Sequence, residues 1–139
     1  MQLVVDSNIL LSFFRDNPVR FIIVNAELLG ISLYTPEYVI NELKNNKSDI
    51  LKYSKLTSSQ FNKALSELSK FIEIVPKTSF DMFKSQAKEL IHDKDIPVFA
   101  LALKLNCPIW SKEPRFKKQS SVKILSTSDL IELLGLTFK

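Results

Sequence analysis

Two carboxylates stand just past apolar, strand-like runs. Asp6 follows Leu3-Val4-Val5 and opens Asp6-Ser7-Asn8, and Glu113 closes Ser111-Lys112-Glu113 after Pro108-Ile109-Trp110. If both runs are strands of one parallel sheet, right-handed crossovers bring their ends to the same edge, where open α/β sheets place their sites. Carboxylates gathered there are hard oxygen donors, and such donors suit a divalent cation such as Mg²⁺ or Mn²⁺. Each acid also has a plainer use. Asp6 suits a turn and helix cap, Asp95 suits the cap of the apolar helix that follows it, and Glu42 suits an exposed helical face. With one histidine, His92, and one cysteine, Cys107, no transition-metal cluster can be assembled, so His92 reads as a solvated turn residue.

The elements that must position these groups alternate. Strand-like runs at 3–5, 31–34, 72–75, 108–110 and 122–125 are separated by helical patterns, which predicts a three-layer α/β/α domain with a mostly parallel sheet of about five strands. Asn8 suits the cap of a short helix through 14, and Pro18 suits the start of a second helix that Gly30 stops. Pro36 begins another, with Val39, Ile40 and Leu43 on the apolar stripe and Glu42 off it. Residues 44–55 read as irregular or only partly helical. Thr57-Ser58-Ser59-Gln60 matches a capping box, 79–91 reads as a helix, and 97–105 is apolar enough to be a buried one. Trp110 is expected to pack near the sheet edge, and Ser126 or Thr127 caps the last helix.

The chain of 139 residues fits one domain, 1–139, with 45% hydrophobic residues to fill its core. Only two glycines are present, which excludes glycine-rich phosphate cradles of the Walker or dinucleotide type. A single cysteine excludes an intrachain disulfide and suits a reducing compartment. No apolar run is long enough to span a membrane and no leader pattern opens the sequence, so the expectation is a soluble, cytoplasmic protein. The formal charge of +4 fits a polyanion partner without requiring one. Lys112, Arg115, Lys117, Lys118 and Lys123 crowd beside Glu113, so positive charge sits next to the candidate acids.

Four stretches, in order, resemble the PIN domain, the nuclease fold shared by VapC-type toxins and RNA-processing nucleases. They are Val4-Val5-Asp6-Ser7-Asn8-Ile9-Leu10, Pro36-Glu37-Tyr38-Val39-Ile40-Asn41-Glu42-Leu43, Asp93-Lys94-Asp95-Ile96-Pro97-Val98-Phe99-Ala100 and Pro108-Ile109-Trp110-Ser111. The resemblance spans nearly the whole chain and implies a metal-dependent endoribonuclease. It places Asp6, Glu42 and Asp95 on metal-binding acids, with Asn8 and Ser111 as polar supports and Mg²⁺ or Mn²⁺ as the cofactor. It also implies RNA as substrate, met by Lys112, Arg115, Lys117 and Lys118, a homodimer, and an antitoxin partner if the chain is a toxin. The fourth acidic stretch departs from the pattern: Glu113 takes the first acidic place and Arg115 the second. That departure motivates a rival reading, a catalytically impaired module that binds RNA or protein. A phosphotransferase using Asp6 as nucleophile has little support, because Asn8 stands where such families need a second aspartate.

Overall fold

The computed structural model describes residues 1–138. Strand β1 (Gln2–Val5) lies at the centre, with Leu3, Val4 and Val5 fully buried. Successive strand residues face opposite sides, so three buried residues in a row require both faces of the sheet to be covered. Strands β2 (Ser32–Pro36) and β3 (Ile72–Val75) lie on one side of β1, and β4 (Ile109–Trp110) and β5 (Ile124–Leu125) on the other. The order is β3-β2-β1-β4-β5, and all four pairings are parallel. Strand order therefore reverses between β1 and β4, which opens a crevice at their carboxyl ends. Asp6 N donates to Trp110 O at 3.1 Å and ties the two ends together.

Helices fill the crossovers. Between β1 and β2 run α1 (Ser7–Leu11), a 3-10 turn (Ser12–Phe14) and α2 (Pro18–Val24). Between β2 and β3 run α3 (Glu37–Asn45), α4 (Lys47–Ser54) and α5 (Ser58–Leu68). Between β3 and β4 run α6 (Lys77–Phe80), α7 (Lys84–Lys88) and α8 (Ile96–Leu105), and α9 (Thr127–Leu134) follows β5. Helix α8 packs on β1, β2 and β4 and buries Val98, Phe99, Ala100, Leu101 and Ala102. A helix enclosed in this way is apolar around most of its circumference, as its sequence is. No helix among the described residues is long and apolar enough to cross a membrane.

Local chemistry accounts for where the elements differ from the sequence reading. Asp6, not Asn8, caps α1, since its carboxylate accepts from Ser7 N. Helix α2 ends at Val24, where Asn25 Nδ2 donates to Phe21 O, and turns carry the chain to Gly30, whose φ of 76° is left-handed. Part of 44–55 is the regular helix α4, anchored by buried Ile50 and ended by Lys55 at φ 61°. The stretch 79–91 is not one helix: a 3-10 turn (Asp81–Phe83) separates α6 from α7. The capping box at Thr57 and Gln60 is present, and a second one joins Ser126 to Asp129.

Candidate functional site

Each candidate acid is delivered to the crevice by a different element. Asp6 ends β1, Glu42 lies on α3, Asp95 immediately precedes α8, and Glu113 follows β4. Asp6 is 4% exposed, and its two oxygens are held separately. Oδ1 accepts from Ser7 N at 2.8 Å, and Oδ2 accepts from Ser111 Oγ at 2.8 Å. Ser111 is itself buried, and its Oγ accepts from Glu113 N at 3.0 Å. One serine thus links the first acid to the fourth across 105 residues of sequence.

Burial raises the Asp6 pKa above the ordinary aspartate value, against the lowering effect of the Ser111 and Ser7 hydrogen bonds; Asp95 and Glu113 raise it further by repulsion. Glu42 is raised by burial, lowered in part by Lys94, and raised again by Asp6 and Asp95. Asp95 is raised by burial and partly relieved by Arg115 and Lys94. These mutual repulsions mark the four acids as one electrostatic cluster.

Two cations enter that cluster. Arg115 Nε lies 3.1 Å from Glu113 Oε1, and its Nη2 lies 3.3 Å from Asp95 Oδ2. The hydrogen bonds from Arg115 hold the Glu113 pKa below the ordinary glutamate value. Arg115 therefore does not point away toward a distant phosphate, and the residue at the second acidic place neutralises two of the acids. Lys94, flanked by Asp93 and Asp95, acts electrostatically on Glu42, Asp95 and Glu113. Among the described residues, no three His, Cys, Asp or Glu side chains are grouped closely enough to hold an ion as they stand. The donor chemistry nevertheless fits Mg²⁺ or Mn²⁺, which keep several waters and are commonly held by one or two carboxylates together with substrate phosphate.

The supporting residues divide. Ser111 positions Asp6, whereas Asn8 makes no hydrogen bond to it, and Asn8 Oδ1 is buried without a partner. Of the basic group, Lys112 Nζ reaches Ser12 Oγ at 3.4 Å, and Lys117 and Lys118 are exposed on a 3-10 turn (Pro114–Lys118) around buried Phe116. Trp110 is fully buried and donates from Nε1 to Thr127 Oγ1 at 3.0 Å, so it packs and does not offer a face to a base.

A family model for the PIN domain matches residues 4–132, which takes in all four acids. The chain belongs to the PIN-domain family. This PIN domain is also similar in structure to a chain in the crystal structure of VapBC2 from Rickettsia felis, bound to a DNA fragment from the promoter of that pair. The TM-score is 0.63 at 16% identity, over 91% of this chain and 98% of the other. No curated protein matches the chain in sequence.

Reading of the sequence missed two members of this PIN domain's site. Lys94 was visible only as a basic residue between two aspartates. Tyr38 precedes Glu42 by one helical turn on α3, and its pKa is raised by burial and by Glu42 and Asp95. The available signal was that i, i+4 spacing.

Proposed function

We propose that this chain is a metal-dependent endoribonuclease that hydrolyses RNA phosphodiester bonds and serves as the toxin of a toxin–antitoxin pair. The observation that carries the proposal is a buried aspartate, Asp6, at the switch point of a parallel sheet, oriented by Ser111 from the fourth acidic stretch and repelled by Asp95 and Glu113. Membership of the PIN-domain family and likeness to a VapBC2 chain support the toxin reading. Asp6, Glu42 and Asp95 would hold Mg²⁺ or Mn²⁺, with Glu113 completing the set. When bound, such an ion lowers the pKa of an attacking water and neutralises charge gathering on the phosphodiester.

The chain's own residues do the rest. Ser111 and the Ser7 amide fix the rotamer of Asp6, so its remaining lone pairs keep one orientation. Lys112, Lys117 and Lys118 attract the phosphate backbone by charge alone, which sets affinity and not sequence. An antitoxin, a homodimer and a cytoplasmic setting complete the reading. Replacing Asp6 with Asn removes the central carboxylate while keeping its shape, and RNA turnover in Mn²⁺ should fall to background. Equal turnover by the variant and the wild type would end the proposal.

One observation favours a second reading. Arg115 already supplies positive charge to Asp95 and Glu113, as in a PIN-like module that binds RNA or protein without cutting. Calorimetric titration with Mn²⁺ separates the two, because the nuclease must take up the ion through its carboxylates.

A further inference from the structure

Arg115 bonds directly to two of the acids, and the chain around it is built to keep it there. Pro114 fixes the backbone at the start of the 3-10 turn (Pro114–Lys118), Arg115 N donates to Glu113 Oε1 at 3.3 Å, and Phe116 N donates to Glu113 O at 3.2 Å. Phe116 is buried, and its ring meets Phe99 edge-on with centroids 5.0 Å apart. Phe99 lies on α8, the helix that Asp95 immediately precedes. The Arg115–Asp95 pair therefore spans two segments whose separation the core fixes, which a loose surface ion pair lacks.

The bonds leave both partners with capacity to spare. Nε donates to Glu113 Oε1 and Nη2 to Asp95 Oδ2, so Nη1 and the other Nη2 hydrogen take no part, on a side chain that is 51% exposed. Asp95 Oδ1 and Glu113 Oε2 likewise stand outside these bonds. A guanidinium with unused, coplanar N–H groups matches the oxygens of a phosphate. Charge points the same way. The groups that act on one another across the crevice are four carboxylates, Asp6, Glu42, Asp95 and Glu113, and two cations, Arg115 and Lys94. With every acid ionised, two negative charges remain, which one divalent ion balances.

We infer that Arg115 is a catalytic residue: held by Asp95 and Glu113, it meets an oxygen of the scissile phosphodiester and takes the part that a second divalent cation plays in two-ion nucleases, so that the site binds one ion. In a two-ion site the second cation stabilises charge on the leaving oxygen and the phosphate. A guanidinium already in position supplies that charge without reorganising as the reaction proceeds. Lysine carries the same charge but lacks the planar fork.

The inference rests on the ribonuclease reading, and the test separates the two. Calorimetric titration with Mn²⁺ should give one ion per wild-type chain, and Arg115→Asp, which exchanges a positive charge for a negative one, should take up two. Single-turnover cleavage of a randomised single-stranded RNA pool in saturating Mn²⁺ supplies the second readout. Arg115→Ala should cut about ten- to hundredfold more slowly, the loss of one charge-assisted hydrogen bond, although it frees two carboxylates for the ion. Arg115→Lys should recover only part of that rate. Two ions on the wild type, one ion on Arg115→Asp, or cleavage by Arg115→Ala at or above the wild-type rate overturns the assignment, the last by marking Arg115 as nothing more than a competitor of the ion. A wild type that cuts no RNA in the pool overturns the ribonuclease reading and this inference with it.

Discussion

Asp6 carries its charge in a place that disfavours charge. Burial is the main reason its pKa is raised, and the same holds for Glu42 and Asp95. A carboxyl whose folded pKa lies above its unfolded value stabilises the fold below the unfolded value, and that stability is lost as pH rises through the folded one. Without metal, Asp6→Asn should therefore melt higher than the wild type at neutral pH. The gap should shrink as the pH falls through the raised folded pKa and be closed by about 4, where the unfolded carboxyl also takes up its proton. Thermal unfolding at both pH values checks this, and a gap independent of pH would contradict it. Arg115 poses the opposite question, because its two ion pairs lie open to solvent, which screens them and leaves them little weight in stability. Arg115→Ala should barely move the melting temperature while freeing two carboxylates, so calorimetry should give tighter Mn²⁺ binding than in the wild type. Unchanged or weaker binding would show that the guanidinium does not compete with the ion.

Short-range hydrogen bonding decided which elements the sequence revealed. Both halves of a capping box lie within one helical turn, so the box at Thr57 and Gln60 was legible without a fold, and the last helix's cap was narrowed to Ser126 or Thr127, of which the structure uses Ser126. Ser126→Ala removes one such cap from α9 and should lower stability by about 1 kcal/mol in urea unfolding while leaving Mn²⁺ affinity unchanged. A parallel loss of metal binding would mean that α9 positions the site as well. Helix α4 was harder to see, because its one buried residue, Ile50, gives almost no stripe to read. The 79–91 stretch misled in the other direction: Phe80, Ala87 and Ile91 are all buried at helix-compatible spacing, yet a 3-10 turn reorients the chain between them as α7 docks on α8. Tertiary packing overrode local periodicity in both.

Over the whole molecule, the formal charge of +4 coexists with a cluster of acids at the sheet edge, so attraction to a polyanion must come from the rim. Single-stranded RNA affinity should fall linearly with salt on logarithmic axes, and Lys117→Ala with Lys118→Ala should reduce the slope by about 0.7 for each lysine that meets a phosphate. An unaltered slope would place the phosphate path elsewhere. Asp6, Asp95 and Glu113 could be singled out as candidates from the chain alone, because strand ends and helix starts leave marks within a few residues, whereas Glu42, midway along α3, was reached only through the family resemblance. So could the parallel sheet, since alternating periodicities are local patterns summed along the chain. Three facts needed the tertiary structure: Ser111 binding Asp6 across 105 positions, Arg115 turning inward to Asp95 and Glu113, and Asn8 leaving its Oδ1 buried without a partner instead of bonding its neighbouring acid. Each depends on where a side chain lands after distant segments pack, and sequence spacing carries no record of distances that only close when the β1 and β4 ends are brought together.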